Sequence, residues 1–475
     1  MGSPLKVGLI GLANISFIGA MYAPLPALAD IVISSAATNN INCSSGVCTP
    51  TSPDAVLNVG DLQGMLATSN ITLAAAGQPV DVDIEASLSW VSTNSLTIDS
   101  YHSINVNQPV AITGGGGLSL ITNDGGTTGV FDFSPGASVV FWSLSSNLTI
   151  DGSAYTLVDD VATLASDVAA SPNGFFALAG NYDAGPDGTY SSSPIPTLSG
   201  GTIQGLGNTI SNLSMSFAAK TQKTNGFCGV NNEGTISNIN LESASIDIRG
   251  NESSDGGIVG VNSGVLFGDH VEGSIIADFR PTAGGIAGVN NGSVTASSAS
   301  ATLVGTNYSA LGGLVGENKG TISESYSAGS GTAKTLGTVG GLVAANNNGT
   351  IINSYATGEA KGADSTVAGG LIGIFQGGTI TDSYSTGSAR SKTTDYAGGL
   401  LGQIDENITI TNSYWDKTTS KNKDAAGGIK NISGVTGETT TKLQAGLPAG
   451  FDPTIWAENP SINNGLPYLI ANPPQ

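Results

Sequence analysis

The chain reads as an all-β protein, a right-handed parallel β-helix with coils of about 28 residues and one short accessory helix near residues 157–170. Three observations carry that expectation. The first is a phrase repeated with small edits: GGIVGVNSG, GGIAGVNNGSV, GGLVGENKGTI, GGLVAANNNGTI, GGLIGIFQGGTI and GGLLGQIDENITI, ending in a truncated GGIK. Its second glycines are Gly257, Gly285, Gly313, Gly341, Gly370, Gly399 and Gly428, at intervals of 28, 28, 28, 29, 29 and 29 residues. A fixed period of that size marks a solenoid, whose units bury their apolar faces only against their neighbours. The second is composition: 68 glycines in 475 residues and only 11% charged side chains suit short strands joined by tight turns. The third is the period-two alternation of DVDIEASLSW, which puts Val82, Ile84, Ala86, Leu88 and Trp90 on one face.

A coil of this length has room for three short strands and three turns, stacked at about 4.8 Å on their copies above and below. The aliphatic residues after the glycine pair (Ile258, Ile286, Leu314, Leu342, Leu371 and Leu400) then form a core rib. The paired glycines serve a positive φ or a close backbone approach at a corner. Parallel crossovers are almost always right-handed, which sets the expected hand. Two ladders share the phase. Asn231, Asn262, Asn290, Asn318 and Asn346 hold one turn position, where stacked amides can bond along the axis, until Phe375 and Ile404 replace them. Tyr326, Tyr355, Tyr384 and Tyr414 form the second, as a stacking rib or a ligand platform, with rings facing inward or outward. His270 holds the tyrosine-equivalent place in its coil and reads as a ladder substitution.

Taken in order, residues 1–29 have a signal-peptide layout: Lys6, an apolar run over 7–23, Pro24 and Pro26, then Ala27-Leu28-Ala29 before Asp30. Residues 30–150 read as strands throughout. In 151–224, Leu157, Val158, Val161, Leu164, Ala165 and Val168 recur at helical spacing. Asp159 and Asp160 stand near the start of that helix as a solvated acidic first turn, and SPNG at 171–174 stops it. Such a helix would cover an end or side of the solenoid. Repeats fill 225–430, and an atypical unit over 431–475 is expected to cap the open end.

Charge excludes one class of partner. The 36 acidic residues against 15 basic give −21, and only Arg249, Arg280 and Arg390 carry guanidinium groups, which opposes nucleic-acid binding. Cys43 and Cys48 are close enough in sequence for a disulfide in an exported protein, whereas Cys228 aligns with Val259 and reads as a core residue. Catalytic signatures are missing: His102 and His270 are far apart, and no HExxH, GxSxG or GDSG occurs. Asp364, Asp382, Asp395, Asp405 and Asp416 lack the regular spacing of calcium solenoids. The residues therefore indicate no enzyme, no cofactor and no metal site.

Several stretches resemble known families. GVCTPTSPDAVLNVGDL, the SLSW–SLTI pair and INVNQPVAITGGGGLSL resemble the filamentous-haemagglutinin-type passenger segments of secreted bacterial adhesins. PIPTLSGGTIQGLGNTISNLSMS resembles the lead-in to GLUG repeats, and the glycine phrase over about 225–430 is similar to the GLUG motif of bacterial surface proteins. The Trp–Asn-Gly–Pro-Tyr-Leu ending resembles the terminal segment of GLUG-repeat proteins. The resemblance implies export through the inner membrane to a secreted or cell-surface, outer-membrane-associated location. It implies a rigid rod acting in attachment, cell–cell contact or biofilm interactions. Implied partners are host or neighbouring-cell surface glycans or proteins, or a matrix polysaccharide, together with an outer-membrane secretion partner. A carbohydrate-active β-helix enzyme, either a polysaccharide lyase or a hydrolase, and a purely structural matrix protein stand as alternatives.

Overall fold

The computed structural model describes residues 30–474 apart from 76–80, 127, 218–222, 250–251, 279, 393–395 and 406–407. The expected signal peptide lies outside the described residues, as does Asp395.

Strands are three or four residues long in most places, because each coil side buries one or two side chains before the chain turns. One regular coil comprises Ala310–Gly312, Val315–Asn318, Thr321–Ser323, Tyr326–Ser327 and Ser330–Ala333. Each segment pairs in parallel with its counterpart one coil on: Leu311 with Val339, Asn318 with Asn346, Ile322 with Ile351, Tyr326 with Tyr355, Gly331 with Ala360. The parallel solenoid is therefore present, with five strand segments per coil instead of three. One added corner is a left-handed residue at a fixed place: Ala296, Glu324, Asn353, Asp382 and Asn412 have φ of 49°, 46°, 47°, 47° and 45°.

One sheet of sixteen strands runs from Ile41–Ser44 to Ile408–Thr411, roughly 70 Å of ladder at about 4.8 Å per strand. It holds two lobes together by an exchange of faces. Leu148–Ile150 pairs antiparallel with Ser153–Val158, which in turn pairs parallel with Phe175–Leu178. Successive side chains on a strand point to opposite faces. Leu148, Ile150, Leu157 and Ala177 accordingly pack into the first core, whereas Val158, Phe176, Leu178 and Ile203 pack into the second. Strand direction and core side invert together here, so the winding sense is the same in both lobes.

Four short helices are described where one was expected. Helix α1 (Val59–Leu66) interrupts the stretch read as strands; Asn58 Oδ1 caps it by accepting from the Gly60 and Asp61 amides at 2.9 and 3.2 Å. Gly60 and Gly64 disfavour a helix intrinsically. Burial of Leu62 and Leu66 in the first core compensates, beside the edge strands Ala55–Asn58 and Leu88–Trp90. Helix α2 (Val161–Ala170) begins later than expected, since Leu157 and Val158 are in the strand that faces both cores. Asp160 caps it, accepting from the Thr163 amide at 2.6 Å, and Val161, Leu164 and Val168 are buried against the edge strand Ile195–Ser199. Each of these two helices covers the first strand of a sheet, where unpaired backbone groups would otherwise be open. The remaining two, α3 (Lys417–Ser420) and α4 (Thr440–Leu443), lie near the C-terminus.

Cys43 and Cys48 are disulfide-bonded across the hairpin of Ile41–Ser44 and Val47–Pro50. At the far end Val435–Glu438 pairs with Ser413–Asp416. The chain after α4 does not add a further coil. It folds back along the flank until Asn472 Nδ2 donates to the carbonyls of Ser297 and Glu324 at 3.2 and 3.1 Å.

Candidate functional site

The most regular positions of the repeat are used for stacking. Ile258, Ile286, Leu314, Leu342, Leu371 and Leu400 are all fully buried. Asn231, Asn262, Asn290, Asn318 and Asn346 are buried too, and each of the first four donates Nδ2–H to the next side-chain oxygen at 2.8–2.9 Å. Asn346 donates to the Gly377 carbonyl, and Phe375 continues the column as a buried ring. The second glycine of the pair serves close approach in the regular coils, and only at Gly428, where the phrase is truncated, does it take a positive φ, of 70°. A Cβ on Gly285, Gly313, Gly341 or Gly370 would run into the carbonyl oxygen of the equivalent glycine one coil on.

A third ladder was not read from the sequence. Ser297, Ser325 and Ser354 each accept from the backbone amide one coil earlier and donate to the carbonyl two residues back, as in Ser325 Oγ to Ser323 O at 2.7 Å. Asp269 heads this column, its Oδ1 accepting from the Ile239 amide at 3.1 Å. The recurring Ser before each Tyr (Ser325, Ser354, Ser383, Ser413) was the available signal.

The tyrosines face outward from the coil core, since Ala356 after Tyr355 and Trp415 after Tyr414 are in it. Tyr326, Tyr355 and Tyr384 stack at 5.0 Å with ring planes within 9°. They are not open to ligand. Residues of the returning segment, Phe451, Trp456 and Leu469, cover them in a third apolar cluster. Tyr414 stays in register but meets Phe451 edge-on and donates to the Ala449 carbonyl at 2.8 Å.

Upstream, the tyrosine position becomes Ser298, then His270, then Asn240 in the same paired column. There the returning segment reaches Asn472 and Pro473, which line a cleft on this flank. The turn 134–138 of the first lobe forms the facing wall, leaving a polar cleft of about 170 Å³ between the lobes, closed at one end by Asn472. Asn238 and Asn240 join the walls through Nδ2 bonds to the carbonyls of Phe131 and Gly207 at 3.3 and 2.9 Å. His270 is buried and shares a 2.8 Å hydrogen bond between Nδ1 and Ser298 Oγ. Burial pushes its pKa down to about 4, so the ring is neutral at physiological pH. Desolvation likewise raises Asp132 to about 6 and holds Asp269 well above the usual carboxylate range. The buried Asp269 Oδ2 has no hydrogen-bond partner among the described residues. His270 is thus a ladder position, as expected, and also part of a cleft that joins residues more than 300 apart in sequence.

Other sequence candidates are structural. Asp416 caps α3, Asp382 Oδ1 accepts from Asn412 Nδ2 at 2.9 Å, and Asp364 pairs with Lys392. Cys228 is fully buried, its thiol pushed up to about 12 by desolvation. Among the described residues no group of three or more His, Cys, Asp or Glu is placed to hold a metal ion.

Comparison with known proteins leaves the fold and this geometry to speak alone. No family model, curated protein or solved structure matches the chain.

Proposed function

We propose that the chain is an exported, adhesin-like surface or secreted protein of the filamentous-haemagglutinin and GLUG-repeat type. It acts as a rigid rod in attachment, cell–cell contact or biofilm interactions. The observation that carries this reading is the sixteen-strand ladder, which runs continuously through both lobes. Such a rod holds its turns at fixed spacing, so many weak contacts to a glycan- or protein-bearing surface, or to matrix polysaccharide, add by multivalency. The signal-like residues 1–29 and the Cys43–Cys48 disulfide support passage through an oxidising compartment, with an outer-membrane secretion partner completing the route. Protease shaving of intact cells tests display. Cleavage of this chain while a periplasmic control stays whole is expected. Protection of both would end the surface reading.

A second reading, a polysaccharide lyase or hydrolase, is favoured by the carboxyl groups of Asp132, Asp269 and Glu242 in one cleft. Release of reducing or unsaturated sugar ends by the purified protein would replace the first reading with this one.

A further inference from the structure

We propose that the cleft between the lobes is a binding site for a single neutral pyranose ring, such as one residue of a cell-surface or matrix glycan. Surface display is not required for this, so binding by purified protein and shaving of cells can fail independently.

Size comes first. A volume of about 170 Å³ equals five or six waters at about 30 Å³ each, and lies below the roughly 300–1,000 Å³ of drug-sized pockets. It fits one sugar ring and little more. Chemistry narrows the choice. A sugar needs donors and acceptors side by side around its hydroxyls, with an apolar surface for its ring face. Glu242 supplies a carboxylate acceptor, Asn240 an amide, and His270 a neutral ring whose Nε2 makes no hydrogen bond among the described residues. Phe133, half-buried on the facing wall and packed edge-on to Phe131 at 4.7 Å, supplies the apolar surface. Asp269 also lines the cleft, but its Oδ2 is buried away from the opening.

Charge excludes the main competitors. No Lys or Arg is among the described residues of the lining, so phosphate, sulfate and uronate groups meet carboxyls of their own sign. A bare divalent cation lacks a ligand set, since no three acidic or imidazole side chains converge.

Saturation-transfer NMR and calorimetry on the full mature chain would use methyl glycosides of neutral hexoses and N-acetylhexosamines. Galacturonate serves as the anionic probe and spermidine as the cationic one. At least one neutral glycoside is expected to saturate, and neither charged probe to bind. Glu242 is exposed, so Glu242→Gln should fold; with Asn240→Ala it should weaken binding by about tenfold or more, the worth of one charge-assisted hydrogen bond. Phe133→Ala should weaken it as well, with the far-ultraviolet spectrum unchanged. Failure of every neutral glycoside to saturate would overturn the proposal. So would binding that all three variants leave intact, or saturation by spermidine alone.

Discussion

Tyr384 donates its hydroxyl proton to the carbonyl oxygen of Pro467 at 2.6 Å, across 83 residues of sequence. The bond belongs to a seam in which the returning C-terminal segment seals an outward column of rings. Trp456 is its centre: 1% exposed, it packs against Tyr355, Tyr384 and Phe451 and donates Nε1–H to Asn353 Oδ1 at 3.3 Å. Burying a tryptophan contributes about 3–5 kcal/mol, concentrated here in one segment that no coil ladder holds. Trp456→Ala is expected to release residues 440–474 while the coils persist. Limited proteolysis with mass mapping reads this directly. If the segment is cut no faster than in the parent, the seam is not what holds it.

The glycine pair predicts a contrast among three alanine substitutions. In Gly313→Ala the new Cβ meets the Gly341 carbonyl and the Ser327 hydroxyl, neither free to move without shifting a strand. Overpacking of this kind costs about 1–3 kcal/mol. Gly136 has open space around it but a φ of 81°, so alanine there costs about 1 kcal/mol through strain alone. Gly64 is helical with nothing within 4 Å, and alanine should stabilise it by about 0.5–1 kcal/mol. Thermal unfolding midpoints should therefore rank Gly64→Ala above parent, then Gly136→Ala, then Gly313→Ala.

Asn318 stands mid-column, accepting from Asn290 Nδ2 at 2.9 Å and donating to Asn346 Oδ1 at 2.8 Å. Asn318→Ala removes a partner on each side within a dry interior. The cost for unsatisfied buried groups is about 1–3 kcal/mol each. Unfolding should shift accordingly, and hydrogen exchange should rise first in the two flanking coils. Exchange rising evenly along the rod would contradict a ladder that works rung by rung.

The sequence made the ladders legible because one residue type recurs wherever a side chain stacks on its own copy, as Asn262, Asn290 and Asn318 do. The left-handed corner was hidden for the opposite reason. Ala296, Glu324, Asn353, Asp382 and Asn412 share a backbone torsion and no side-chain chemistry. Helix α1 was masked by Gly60 and Gly64, although Val59, Leu62 and Leu66 recur at helical spacing and burial of the two leucines drives the helix. Leu157-Val158 mimicked a helix start because two adjacent apolar residues also suit a strand with a core on each face. The cleft had no local signal at all, since Phe133, Glu242, His270 and Asn472 meet only through the face exchange and the returning segment.

Buried carboxyls and the buried His270 act in opposite senses on the pH dependence. Desolvation raises Asp255 to about 7 although Asn225 Nδ2 and Ser253 Oγ both donate to it, at 2.7 and 2.8 Å. Asp269 is also held well above its usual range by the same cause. For an acid whose folded pKa lies above its unfolded value, the folded state binds the proton more tightly. Stability is then greatest below the unfolded pKa, near 4, and falls as pH rises toward the folded one. Between pH 4 and pH 7 the raised carboxyls weaken the fold, while His270, lowered to about 4 by burial, strengthens it up to its ordinary value near 6.5. Asp255→Asn, which keeps the shape without the charge, removes only the Asp255 contribution and should gain stability in denaturant unfolding relative to the parent as pH rises from 4 to 7. Asp269→Ser would place a hydroxyl where Ser297, Ser325 and Ser354 stand in later coils, and should match or exceed the parent's stability at pH 8. An Asp255→Asn advantage over the parent that does not grow between pH 4 and pH 7 would show that Asp255 is ionised in the fold, and an Asp269→Ser variant less stable than the parent at pH 8 would remove the serine-like role of Asp269.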